Sequence, residues 1–340
     1  MQPGGKPLTA KLEDWGNLRE ECEFTGLLLG NGASRNVWEG FGYDSLYQIA
    51  CAENATHRLD TTDQRLFDEL GTRSFERVLG GLAVAQLVNR SCSVECGELE
   101  ERYASIQEAL VEAVRNHHIA WSVVEGGIRH SMRDALLDYS FVYSTNYDLL
   151  VYWAVMADNG SGFKDYFWSD EFDLGNVEVW GKTTRVLYLH GGLHLCRTAR
   201  GLSVKRRASS NSNLLEDFGS LYNGERVTPL FVAEGTAADK LRSLYRSDYL
   251  SFAYSRLANH MGDLCVFGQA LGEEDSHIVR AIRSSMAKKV AVSIRPSSDE
   301  EIIKRKAAYI GNFPTLGIRF YNSTTHPLGS PLLRACEEVT

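Results

Sequence analysis

Seven short, almost unbroken apolar runs, each ended by Gly, Asn, Ser or Pro, limit what this chain can fold into. They are GLLLGNG (26–32), FVYSTNYD (141–148), RVLYLHGG (185–192), PLFVAEG (229–235), LCVFGQA (264–270), KVAVSIRP (289–296) and GIRFYNS (317–323). A strand with one wet face alternates apolar and polar residues, whereas a strand apolar on both faces must be covered on both. That is the condition inside a parallel sheet sandwiched by helices. Helical patterns fall between the runs. SDYLSFAYSRLANHM puts Tyr249, Leu250, Ala253, Tyr254 and Leu257 on one face behind a cap at Ser247 or Asp248, and SDEEIIKRKAAYIGN carries acids early, bases later and Gly311 at its end. The alternation predicts an α/β fold, a Rossmann-like doubly wound parallel sheet.

Two stretches break the rhythm. From about Asp63 to Leu137 the pattern is almost wholly helical and too long for one crossover, so residues 63–137 read as a helical insert within a single domain spanning 1–340. Arg197 to Glu225 is polar, rich in Ser and Asn, and reads as an irregular excursion. With 44% hydrophobic and 24% charged residues and only 7 Pro, the 340-residue chain has material for a packed core and no signature of disorder.

A net charge of -8 argues against nucleic acid as a direct ligand, since binding it needs a cationic surface. The one basic cluster, residues 197–210, reads as a solvated loop, the alternative being a contact for a partner protein or nucleic acid. No run of about 18 uncharged apolar residues predicts a membrane span, and the N-terminus lacks a signal-peptide core, so the expected location is the cytoplasm. The cysteines, 7 in number and mostly far apart, suit reduced thiols. Only Cys92 and Cys96 lie close, without a second pair at zinc-ribbon spacing, so no metal is expected.

In an open parallel sheet, ligands meet the carboxyl ends of the strands, and four polar motifs sit at such ends. Gly30, Asn31, Gly32, Ala33 and Ser34 follow the first run; the glycines permit close backbone approach, and the next amides can face an anion. Taken alone, a Gly-x-Gly is more often a plain turn. Thr145, Asn146 and Asp148 follow the second run, where an Asn and an Asp equally suit a helix cap. His190 precedes two glycines after the third run, with His194 as a decoy nearby, and a lone histidine there is more often packed under a loop. Gly268, Gln269 and Ala270 follow a later run, trailed by Asp275 and His277.

Taken in order, Gly-x-Gly-Ala-Ser, Thr-Asn-x-Asp, Leu-His-Gly and a late Gly-x-x-Leu with its acidic and histidine pair resemble the sirtuin-like fold, in particular its bacterial antiphage branch of NAD-degrading effectors. The resemblance runs from Thr25 to Ile294, with the helical insert unmatched. It implies NAD as substrate. Gly30, Gly32, Ala33 and Ser34 would hold the pyrophosphate and adjoining ribose. Asn146 would contact the nicotinamide ribose or position a water, with Asp148 ordering its loop. His190 would stand at the ribose hydroxyls, and Gly268 and Gln269 on the adenosine side. Thr145 stands where deacylating sirtuins carry glutamine, and Ala270 where they usually carry serine. The resemblance also implies an abortive-infection effector that works as a homo-oligomer, in some relatives with a ring-shaped ATPase or another defence partner.

Nicotinamide leaves NAD as a neutral molecule and needs no general acid. The site has only to stabilise an oxocarbenium-like centre and select the nucleophile. Asn146 can orient a water, and His190, at an ordinary pKa near 6.5, can accept a proton. The family's deacylases add a four-cysteine zinc module, and this sequence has no Cys-x-x-Cys pair, so hydrolysis is favoured over deacylation. A module that senses NAD or ADP-ribose without turnover would keep the phosphate loops but would have no use for Asn146 and His190 together. A dehydrogenase would want a third glycine after Gly32, and an acid about 20 residues on at a strand end. Glu53 has the spacing but falls in no predicted strand.

Overall fold

The computed structural model describes residues 7–167, 170–175, 183–207, 227–232 and 236–335. Its strands are β1 (Phe24–Leu29), β2 (Phe141–Ser144), β3 (Phe163–Lys164), β4 (Thr184–Tyr188), β5 (Gly191–Thr198), β6 (Ser203–Lys205), β7 (Val227–Phe231), β8 (Asp263–Phe267), β9 (Lys289–Ile294) and β10 (Gly317–Asn322). Seven of them form one sheet in the order β10-β9-β8-β1-β2-β4-β3. Every pairing within it is parallel. The apolar runs are explained by β1, whose Leu27, Leu28 and Leu29 are at most 1% exposed. They pair with Val142, Tyr143 and Ser144 on one side and Cys265, Val266 and Phe267 on the other. A leucine buried so fully contributes about 1.5–3 kcal/mol.

Helices cover the sheet: α1 (Trp15–Glu21), α2 (Asn31–Val37), α3 (Tyr43–Ala50), α4 (Thr61–Glu69), α5 (Phe75–Ser91), α6 (Gly97–Asn116), α7 (Gly126–Leu137), α8 (Leu150–Met156), α9 (Ala237–Tyr245), α10 (Asp248–Ala258), α11 (Ser276–Ser284) and α12 (Asp299–Asn312). Ser247 caps α10 by accepting from the Leu250 amide at 3.2 Å. α12 does not stop at Gly311, which lies in its last turn. It stops because Pro314 bars Phe313 from the helical region, and Phe313 sits at φ -129°, ψ 64°. Between β1 and β2 the chain runs through α2 to α7, and the stretch 63–137 contains most of α4 and all of α5, α6 and α7.

One expected strand belongs elsewhere. The described part of the run 229–235 does not join the parallel sheet: β7, which holds 229–231, pairs antiparallel with β5 in a three-stranded sheet ordered β6-β5-β7, and 233–235 lie outside the described residues. Pro229 lacks an N–H for a central ladder, and β7 is an edge strand. This small sheet also replaces part of the expected irregular excursion. Of 197–225, residues 197–198 end β5 and 203–205 form β6, while 208–225, with the last three residues of the basic stretch, lie outside the described residues. Lys205 is buried against Asp165 at 2.5 Å, so the basic stretch is not wholly solvated.

From β1 the chain passes to β2 on one flank and later returns through β8 on the other. Connections leaving a strand in opposite directions open a crevice at its carboxyl end, and here that end is β1's.

Candidate active site

The loop after β1 and the loop after β8 interlock at that crevice. Gly30 donates its amide to the Phe267 carbonyl at 3.0 Å and Gly32 to the Gly268 carbonyl at 2.8 Å. Gly268 has φ 69°, and a Cβ there would lie 2.5 Å from the Ala33 nitrogen. A Cβ on Gly32 would lie 2.7 Å from the Gly268 Cα. The missing side chains therefore first serve the packing of one loop on the other. Gly32→Val is expected to destabilise the protein by about 1–3 kcal/mol, read as a lower denaturant midpoint; an unchanged midpoint would contradict this packing.

β2 delivers Asn146 to the same place. Its Nδ2 donates to the Gly30 carbonyl at 3.1 Å and to Ser34 Oγ at 2.8 Å, while Ser34 Oγ donates to Asp148 Oδ2 at 2.5 Å. Asp148 Oδ1 accepts from the Leu150 amide at 2.9 Å, which starts α8. With both Nδ2 hydrogens spent, the Asn146 amide has a fixed orientation. Its Oδ1 is buried and has no partner.

A cavity of about 80 Å3 opens beside this group, lined by Asn31, Thr145, Asn146, Asp148, His190 and Gln269 of the expected set. Its ceiling is apolar, from Phe41, Leu46, Phe75, Leu110 and Val114. A second cavity of about 580 Å3 adjoins it, with Asn31, Tyr43 and Gln269 in both linings, and takes in Gly32 and Gly268. Gly30, Ala33 and Ser34 line neither cavity; they stand behind them, Ser34 as the group that holds Asn146 and Asp148 together. Gln269 ties the walls, its Nε2 donating to Thr145 Oγ1 and Asp275 Oδ2, each at 3.1 Å. The decoy His194 is packed between Tyr152 and Tyr188, away from either cavity.

A buried charge cluster closes the small cavity, and most of it had no signal in the sequence. Lys240 is fully buried, with Nζ 2.9 Å from Asp275 Oδ1 and 3.4 Å from Glu76 Oε1. Tyr147 donates its hydroxyl to Glu76 at 2.8 Å. Burial alone would lower Lys240, but the Glu76 and Asp275 carboxylates outweigh it and hold the ammonium above the ordinary lysine range. Burial pushes Glu76 up despite Lys240. Burial acts upward on Asp275 as well, yet Lys240 and the nearby histidines hold it below the usual range. Glu76 lies in the helical stretch and Lys240 on α9, each indistinguishable in sequence from a surface residue, and Tyr147 is the unassigned position of Thr-Asn-x-Asp.

His190 Nε2 lies 2.8 Å from His277 Nε2. Burial, with Lys240 next in weight, lowers His190 well below 6.5, and burial lowers His277 to about 4. The expectation of an ordinary imidazole at 190 is corrected accordingly. At neutral pH the pair is uncharged, one ring donating to the other. His190, Asp275 and His277 also offer ligand atoms within 4.8 Å of one another, a grouping the sequence did not signal. The fit to a metal is poor, since Asp275 already has Lys240 as its cation and Gln269 as a second donor.

The chain's residues 27–327 match the model of a family described as a domain of unknown function, DUF4917. The chain belongs to that family. No curated protein matches it. This DUF4917 chain is similar to a sirtuin structure concerned with substrate affinity, at 12% identity and TM-score 0.35 over 94% of this chain and 95% of that one. It is also similar to a structure concerned with the mechanism and regulation of Sir2 enzymes, at 11% identity and TM-score 0.37 over 92% of each. A third is Sir2 bound to acetylated peptide, at 10% identity and TM-score 0.37 over 94% of each. The α/β fold is shown by the seven-stranded parallel sheet itself. No helix among the described residues of this DUF4917 chain is long and apolar enough to cross a membrane.

Buried imidazoles make the fold sensitive to acid. Of the 9 histidines, His118, His190, His194, His260, His277 and His326 are all held down, in each case chiefly by burial. Unfolded histidine titrates near 6.5, so below that pH the unfolded chain binds protons that the folded chain refuses. Stability is therefore full above about pH 7 and falls with pH, by up to about 1 kcal/mol per histidine for each unit below 6.5. Denaturant midpoints at pH 7.5 and pH 5 should differ markedly. Equal midpoints would show that these rings are not buried and neutral.

Proposed function

We propose that the protein is an NAD glycohydrolase, cleaving the bond between nicotinamide and ribose. The observation that carries the proposal is the Asn146 Oδ1: a buried acceptor with no partner among the described residues, on the wall of a cavity with an apolar ceiling that His190 also lines. An unpaired buried acceptor costs about 1–3 kcal/mol, a cost removed when a water or ribose hydroxyl donates to it. Fixed by Gly30 and Ser34, Asn146 would hold the attacking water. As the C1′–N bond breaks, its electron pair goes to the ring nitrogen and neutral nicotinamide departs. Water oxygen bonds to C1′ and its proton passes to solvent, with neutral His190 accepting a hydrogen bond from a ribose hydroxyl. The apolar ceiling disfavours the positive charge of bound nicotinamide, which departure relieves.

The dinucleotide would lie with its nicotinamide end in the small cavity, its pyrophosphate beside Asn31, Gly32 and Gly268, and its adenosine in the larger one. The helical stretch 63–137 we read as an interaction or gating element, since Phe75 and Glu76 of α5 and Leu110 and Val114 of α6 roof the small cavity. For self-association, α5 presents exposed Val84, Leu87 and Val88 on neighbouring turns. The role as an antiphage effector with a defence partner rests on the motif resemblance alone. Incubating the purified protein with NAD, alone and with its genomic neighbour, and separating products by chromatography tests the reading. ADP-ribose with nicotinamide is the expected result, and intact NAD in both samples refutes it.

A further inference from the structure

We infer that the larger cavity takes a dinucleotide bearing a phosphate monoester on its adenosine ribose, an NADP-type substrate in preference to NAD; this rests on the glycohydrolase reading for the orientation of the ligand. Lys and Arg number 36 against 44 Asp and Glu in the whole chain. The cavity reverses that balance: Arg35, Arg295, Arg305 and Arg334 line it, with Glu39 as the one acidic residue among the described residues of the lining. Four separate segments supply these arginines, namely α2, the end of β9, α12 and the stretch after Leu333. Among the described residues Arg305 pairs with Glu301 at 2.9 Å, and no carboxylate pairs with Arg35, Arg295 or Arg334.

A dinucleotide pyrophosphate carries two negative charges, one per phosphorus. With Glu39 in the lining and Glu301 paired to Arg305, the four guanidinium groups leave a net charge that the pyrophosphate alone matches, so a further phosphate is favoured by where the arginines stand and not by their number. Planar guanidinium forks bind phosphate bidentately, so a cavity built with arginine rather than lysine favours phosphate in particular.

Position separates the two anions. Arg35 lies beside the glycine loop at the end of β1. Arg295 follows β9, which is two strands away with β8 between. At about 4.8 Å per strand the end of β9 lies about 10 Å from that of β1, the reach of an adenosine ribose from the pyrophosphate. Ser293 Oγ accepts from the Gly268 amide at 3.0 Å, and Tyr309 donates to the Gln269 carbonyl at 2.6 Å, so the β9 end and α12 are locked to the loop that meets the glycines. A carboxylate there would accept from a free ribose hydroxyl, whereas the guanidinium of Arg295 can only donate and suits a phosphate.

The test is equilibrium binding by calorimetry with NAD, NADP, ADP and adenosine 2′,5′-bisphosphate, on the intact chain and on Arg295→Ala and Arg295→Lys. Arg295 is exposed, so neither substitution disturbs the core. The expected result is NADP bound about tenfold or more tighter than NAD, the scale of one charge-assisted hydrogen bond. Arg295→Ala should bring the two affinities together and Arg295→Lys should keep part of the difference. Equal affinity for NAD and NADP, or a preference that survives Arg295→Ala undiminished, overturns the inference. If NAD is bound and hydrolysed without any such preference, the inference fails alone. If no dinucleotide binds but adenosine 2′,5′-bisphosphate still exceeds ADP, the glycohydrolase reading fails and the arginine site stands.

Discussion

Asn146→Ala and His190→Ala are each expected to lower NAD turnover by about two or more orders of magnitude, the scale of a lost group that positions the water or the ribose. For Asn146 the loss follows from its fixed amide: alanine removes the unpartnered Oδ1 and leaves the Gly30 carbonyl without its donor. For His190 it follows from a neutral ring set against His277 on the wall of the same cavity. The two serve one step, so the double variant should be little worse than the worse single one. Because burial lowers His190 well below 6.5 and His277 to about 4, the rate should be flat from about pH 6 to 8 and fall only under acid. Chelator should leave the rate unchanged, since Lys240 already neutralises the one carboxylate of the His190, Asp275 and His277 group. Either single variant turning over NAD at the parent rate, with its denaturant midpoint intact, removes that residue from the mechanism.

The strands of the parallel sheet were legible where burial on both faces leaves its mark. Leu27 to Leu29, Val142 and Tyr143, and Val290 to Val292 form continuous apolar runs because helices cover both sides. The run at 229–235 is equally apolar, yet Pro229 was the sign that it could not be a central strand, and the turn at His190 with Gly191 at φ 74° sends the chain into a separate antiparallel sheet. Asn146 and His190 were legible because an amide and an imidazole at strand ends face a common crevice. Their supports were less so: Ser34 has the composition of a ligand loop but points back to Asn146 and Asp148. Lys240 and Glu76 were not legible at all. A lysine on a helix normally reaches water, and only tertiary packing of α9 beside α5 and the Asp275 loop reveals a buried ammonium.

Lys240→Met is expected to destabilise the protein by about 3–5 kcal/mol, the scale for removing one partner of a buried ion cluster. Methionine nearly matches the stem in length, so little volume is lost, but Glu76 and Asp275 would keep their negative charges in the protein interior with no cation between them. Both carboxylates would then rise in pKa, and the folded state would hold protons that the unfolded state releases. The sign follows: for a group raised on folding, stability is present at low pH and lost as pH rises through the folded value. The deficit of the variant against the parent should therefore shrink between pH 7.5 and pH 5, although the parent itself weakens over that range. Adding Glu76→Gln and Asp275→Asn removes the stranded charges and should recover most of the loss. Lys240 also helps hold His190 down, so the acid limb of the rate profile should move to higher pH in the single variant. Midpoints for Lys240→Met equal to the parent at both pH values would mean that the ammonium is solvated, and that the small cavity is not closed by a buried charge cluster.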